Sequence, residues 1–150
     1  MRPSIKILGV KELQKTFKDF KIDKISKVKR ETYASGIDVQ REAKTNLRAY
    51  GAWDTGNAAN SIIVDMIEGG FIAEIGPTAP YAVYIEKGAR PHFPPPDALE
   101  DWAKRHGFDS TWPICLVIAK NGLPEQPFLE PAFNSVDKKF FERIKEIFKK

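Results

Sequence analysis

The feature that most constrains this chain is a change of hydrophobic period near its first third. From Ile22 the apolar or small residues Ile22, Ile25, Val28, Thr32, Val39, Ala43 and Leu47 recur at helical spacing. That pattern predicts one long helix from about Asp23 to Tyr50. "SG" (Ser35, Gly36) interrupts it weakly, since glycine costs a helix about 1 kcal/mol against alanine. Gly51 suits the helix end, and "DTGN" supplies turn residues. From Asn60 onward the period becomes two. "SIIVDMIEGGFIAEIG" reads as two strands joined at Glu68-Gly69-Gly70, a hairpin with a turn that tolerates positive φ. A stretch of period two with helical patterns on both sides of it reads as α+β.

The remaining segments fill in this frame. Ahead of the long helix, Val10, Leu13, Phe17 and Phe20 give "GVKELQKTFKDF" an amphipathic helical spacing. "YAVYIEKG", Tyr81 to Gly88, is either a third strand or a short helical turn. "PDALEDWAKRHG" is a helix of two to three turns with proline in its first turn and Gly107 behind it. "WPICLVIAKNG" has the β-branched content of a strand. Ser110 ahead of it and Asn121-Gly122 behind it resemble helix caps, and the reading leans to helix. Phe133, Val136, Phe140, Ile144, Ile147 and Phe148 form one apolar stripe, which predicts an amphipathic C-terminal helix. The expected architecture is a small antiparallel sheet packed against a long N-terminal helix and a C-terminal helix. It is one domain over residues 1–150, with a helical arm at about 9–50 and a core at about 53–150.

At 150 residues the chain is long enough for one hydrophobic core. No apolar run approaches the roughly 20 residues of a membrane span, and the N-terminus lacks a secretory apolar stretch. The expectation is cytoplasmic synthesis without a membrane. The single cysteine, Cys115, lies in an apolar run and reads as a buried, inert thiol. The net charge of +4 is uneven. Residues 1–50 carry 13 Lys/Arg against 6 Asp/Glu, whereas residues 51–110 carry 4 against 9. A basic first third could follow nucleic acid, face the acidic middle of a neighbouring copy, or form a solvated helix face.

The catalytic inventory is thin. His92 and His106 are the only histidines, and no HExxH, CxxC or GxxxxGK[ST] pattern occurs. His106 sits at a helix end, where the macrodipole favours it. Glu100 and Asp101 are adjacent on a helix and diverge. Glu86 is a candidate buried acid, for which an ion pair with Arg90 is the expected explanation. "DTGN" matches the Asp-Thr-Gly of aspartic proteases, but only one copy exists and it follows a helix. No cofactor or metal is expected. Lys18, Lys21, Lys24, Lys27, Lys29 and Arg30 make a dense basic run without the aromatic interleaving that base stacking uses.

Four pieces in order carry a resemblance: the long N-terminal helix, "WDTGNAANSI", "IGPTAPYAVYIEKGARPHFPPPDALEDWAKRHG" and "IAKNGLPEQPFLEPAF". Together they resemble the tail-component family of tailed bacteriophages and prophages, small proteins of the neck and head–tail joining region. The family pattern is a DTG turn followed by a polar position and SI, then Y-A-x-x-x-E-x-G, then Q-P-F-L-x-P-A. It falls on Asp54, Thr55, Gly56, Ser61, Ile62, Tyr81, Ala82, Glu86, Gly88, Gln126, Pro127, Phe128, Leu129, Pro131 and Ala132. The chain departs from it at Lys87-Gly88-Ala89, where members often carry an aromatic, Gly and Thr. The resemblance implies a virion part without enzymatic activity, a tail terminator or tail completion protein working as a subunit of a ring such as a hexamer. Its partners would be itself and other tail or neck proteins, in the virion and, during assembly, in the host cytoplasm.

Ring subunits need two unlike complementary surfaces. The basic first third and the acidic middle offer such a pair, and the candidate interface residues are Lys24, Lys27, Lys29 and Arg30 together with the stiff proline segment His92, Phe93, Pro94 and Pro95. Proline fixes φ, so such a segment has little entropy left to lose on docking. It would serve equally as a rigid crossover from sheet to helix. The alternative function is a DNA-binding accessory protein using the basic helix, with non-specific contact to the phosphates.

Overall fold

A computed structural model describes residues 3–6 and 22–149. The helix expected over residues 10–20 lies outside the described residues. In chain order the elements are β1 (Ile5–Lys6), α1 (Ile22–Ala49), α2 (Asn57–Asn60), β2 (Ile62–Ile67) and β3 (Ile72–Pro77). They continue with α3 (Ala82–Lys87), α4 (Glu100–Arg105), α5 (Trp112–Asn121) and α6 (Leu129–Phe148). The fold is α+β, as the change of period predicts. "YAVYIEKG" and "WPICLVIAKNG" are helices, and the expected hairpin joins β2 to β3.

Helix α1 ends on Gly51, whose φ of 70° lets the backbone reverse. Ala52 N–H reaches the Leu47 carbonyl at 3.0 Å and Gly51 N–H the Arg48 carbonyl at 3.1 Å, a Schellman closure. One stripe of α1, Val28, Thr32, Ser35, Val39, Ala43 and Leu47, is fully buried. The Thr32 hydroxyl is satisfied by the Val28 carbonyl at 3.0 Å, so its burial leaves no orphan donor. The stripe meets Phe128, Leu129, Ala132, Val136, Phe140 and Ile144 of the α6 region. The two helices run antiparallel. Asn46 donates to the Phe128 carbonyl at one end, Arg143 bridges Glu31 and Asp38 further along, and Lys24 lies over the Phe148 ring at the other end.

The sheet has the order β1-β3-β2 and is antiparallel throughout. Sequence reading missed β1, a two-residue strand too short to show a period. Residues directly opposite in such a pair share a face, so Ile62, Val64 and Met66 lie beside Pro77, Ile75 and Ala73. Gly36 sits on this face: a Cβ there would come within 2.8 Å of Val64 Cγ1 and 3.2 Å of Ala73 Cβ. What reads as a weak interruption of α1 is therefore a close approach to the sheet. The helix runs through it unbroken. Between the strands, Glu68, Gly69 and Gly70 all take positive φ, of 50°, 66° and 94°.

Candidate subunit interface

The motif residues converge where the C-terminal end of α1 meets the start of α6. Asp54 receives a forked ion pair from α4: Arg105 Nε lies 3.2 Å from both carboxylate oxygens, and Nη2 lies 2.5 Å from Oδ2. The hydrogen bonds from Arg105, with its charge, hold the Asp54 carboxyl below the ordinary carboxylate range. His106 stacks on Trp102 at 4.1 Å and donates from Nδ1 to the Trp102 carbonyl, which leaves Nε2 3.9 Å from Asp54. Thr55 Oγ1 accepts from the Asn57 N–H, and Gly56 (φ 76°) leads into α2, where a Cβ would stand 3.1 Å from the Trp53 ring. Ser61 closes α2: its hydroxyl donates to the Ala58 carbonyl, and its own carbonyl accepts the Thr78 N–H. "DTGN" is thus a helix-joining turn with its one carboxylate already paired.

Glu86 departs from expectation. No ion pair joins it to Arg90 among the described residues. Its carboxylate turns inward and accepts the backbone N–H groups of Phe128, Leu129 and Glu130 at 2.9, 2.9 and 3.0 Å. These N–H groups open α6 and have no partner within the helix. A buried carboxylate also meets the positive end of that helix dipole, so three donors and a charge are satisfied together. The Glu of Y-A-x-x-x-E-x-G and the Q-P-F-L-x-P-A segment are two halves of one joint. Gln126 adds to it by donating its N–H to the Ile85 carbonyl at 2.8 Å. Phe128 is fully buried, Pro127 half-buried, and Pro131 sits in the first turn of α6, where its missing N–H costs nothing. Gly88 (φ 66°) permits the following crossing, since a Cβ there would stand 2.5 Å from the Leu123 carbonyl.

The proline segment runs from this crossing. Ala89 and Leu123 exchange both backbone hydrogen bonds, and His92 Nδ1 lies 2.8 Å from the Arg90 carbonyl. Phe93 meets Trp112 edge to face at 5.4 Å, Pro94 is buried, and Pro95 stays exposed. The segment thereby braces α5 while leaving Phe93 half open to solvent.

Helix α5 carries the least expected surface. Its only charged residue is Lys120. Cys115 and Ile118 point into the protein, while Trp112, Leu116 and Val117 are 57%, 50% and 57% exposed on the other side. A helix that is apolar all round is ordinarily buried on all sides. Beside it lies a groove of about 520 Å³ lined chiefly by Tyr81, Tyr84, Ile85, Leu99, Trp102 and Val117. Sequence reading had not assigned Tyr84, Trp112, Leu116 or Val117 to an interface. The available signal was the absence of any polar face in "WPICLVIA".

The basic candidates lie at the other end of α1, with Lys24 and Lys27 on one side beside Glu146 and Lys149, and Lys29 on another. Lys27 is paired with Asp23 at 2.8 Å, Lys24 lies over the Phe148 ring, Lys29 lies 4.8 Å over the Phe71 ring, and Arg30 is exposed. The structure therefore keeps Lys24–Arg30 and His92–Pro95 apart, at opposite ends of the long helix. Among the described residues, no group of three or more His, Cys, Asp or Glu could hold a metal ion, and no helix is long and apolar enough to cross a membrane.

The class these features define is a small α+β domain organised by an antiparallel helix pair. The chain belongs to the HK97 gp10-like family, a family of proposed bacteriophage tail components, which it matches over residues 10–88. No curated protein and no solved structure matches the chain.

Proposed function

We propose that this chain is a ring-forming structural subunit of a tailed phage or prophage virion, acting in tail completion or head–tail joining. The observation that carries the reading is α5, a predominantly apolar helix whose Trp112, Leu116 and Val117 the single chain leaves half exposed. Exposed apolar patches of this kind mark protein–protein contact. The second support is polarity. An apolar surface with Asp97, Glu100 and Asp101 nearby stands at one end of α1, and a lysine-rich end stands at the other. Unlike ends suit head-to-tail contacts, which close into rings when the rotation allows. The partners are then other copies and neighbouring tail or neck proteins, in the virion and in the host cytoplasm while it assembles.

The DNA-binding alternative has less behind it. Phosphate contact favours cations aligned along one face, whereas Lys27 is already paired with Asp23, and Lys29 lies over Phe71 on a different side of α1 from Lys24 and Lys27. The test is the mass in solution. The chain should form a discrete oligomer of several copies, unchanged by nuclease, and reversing Lys24, Lys27 and Lys29 to glutamate should reduce it to smaller species. Intact oligomers after that reversal would remove the electrostatic part of the reading.

A further inference from the structure

The groove between α3, α4 and α5 needs an occupant, and the chain itself contains one of matching chemistry. We propose that residues 10–20 of a second copy fill it, head to tail; the inference rests on the ring reading above. Three observations converge. The first is apolar complementarity. Val10, Leu13, Phe17 and Phe20 recur at helical spacing, and helix-in-groove recognition uses such i, i+3, i+7 anchors. The groove offers aromatic and aliphatic walls, Tyr81, Tyr84, Trp102 and Val117 among them.

The second is charge. Lys11, Lys15 and Lys18 accompany that stripe, against Glu12 and Asp19. Asp97 and Asp101 belong to the short helical stretch on the α4 side of the groove, where Glu100 is already paired with Lys104 at 3.5 Å. Opposite signs at the rim steer and orient docking more than they add affinity.

The third is reach. The groove stands level with the C-terminal end of α1, because Gln126 on its wall contacts the Tyr50 carbonyl and Trp102 adjoins Arg105, which holds Asp54. Residues 7–21 join Lys6, paired with Glu74, to Ile22 at the opposite end of α1. The 28 residues of α1 place Ile22 about 42 Å from that level. Residues 7–21 cover at most about 54 Å fully extended, and a helix over residues 10–20 covers only about 16 Å of it. The segment cannot enter its own groove and return to Ile22. A neighbour's groove has no such restriction, and the resulting contact joins unlike surfaces.

The experiment uses two variants of the full chain, Val117→Asp in the groove and Phe17→Asp in the segment, with Tyr84→Asp and Leu13→Asp as independent second choices. Val117 and Tyr84 are both more than half exposed, so the groove variants should fold, and circular dichroism checks this. Mass is read by light scattering. The parent assembles, each variant alone is monomeric, and a 1:1 mixture of Val117→Asp with Phe17→Asp gives a dimer, because each retains one intact surface. If Phe17→Asp and Leu13→Asp assemble like the parent while the groove variants do not, another surface fills the groove; the inference falls and the ring reading stands. Normal assembly of the groove variants, or a mixture that stays monomeric, also overturns it. A parent that is itself monomeric ends the ring reading on which the inference rests.

Discussion

Glu86 shows how one side chain can fasten the two ends of a motif set. Its carboxylate takes the N–H groups of Phe128, just before α6, and of the first two residues of α6, a helix that supplies much of the core. Removing it leaves buried donors without partners, the costly side of hydrogen bonding. Glu86→Ala should therefore lower unfolding stability by about 2–4 kcal/mol in urea denaturation. An unchanged midpoint would show that the cap is dispensable. Asp54 gives a pH prediction of definite sign. Arg105 lowers its pKa in the folded state, so its contribution is complete above the ordinary value of 3.8 and fades as pH falls below that. Both partners face solvent, so the effect is small. Asp54→Asn should reduce stability at neutral pH and flatten the acid limb of the unfolding profile below pH 3.8. An acid limb as steep as the parent's would assign that loss to other carboxylates.

At the scale of elements, the contact between α1 and the sheet depends on Gly36. An exposed mid-helix Gly→Ala change gains about 1 kcal/mol of propensity. Here the added methyl would meet Val64 Cγ1 at 2.8 Å and Ala73 Cβ at 3.2 Å, neither on a long flexible side chain. Gly36→Ala should instead destabilise by about 1–2 kcal/mol, the cost of overpacking. A gain in midpoint would show that the sheet yields. The same residue shows what could be read from sequence. The period of three to four over Ile22–Leu47 announced α1, and the period of two announced the hairpin, because both patterns reflect burial that local geometry imposes. The packing role of Gly36 was not legible, since it depends on strands about 30 residues away. Glu86 was legible as a buried acid, but not its partners, which lie some 40 residues on. Helix α5 was ambiguous for a physical reason: with no polar face it has no period to read.

At the scale of the molecule, the antiparallel pair α1 and α6 sets a long axis with unlike ends. The uneven charge of the sequence, 13 Lys/Arg against 6 Asp/Glu in residues 1–50 and 4 against 9 in residues 51–110, is only partly sorted along that axis: Arg48 lies over Trp53 at the C-terminal end of α1, and the hairpin turn with Glu68 lies beside Lys29 at the other. One end carries Lys24, Lys27 and Lys29; the other carries α4, α5, the proline segment and the apolar groove. Family membership places the chain among proposed phage tail components. The proline segment, braced through Ala89–Leu123 and Phe93–Trp112, holds the second end in shape before any partner arrives. The central claim is that these ends meet in other copies. The most direct measurement is the absolute mass of the purified, nuclease-treated chain by multi-angle light scattering across a range of concentration and salt. The account predicts one discrete multimer of several subunits, and a strict monomer that is retained on DNA only at low salt would contradict it.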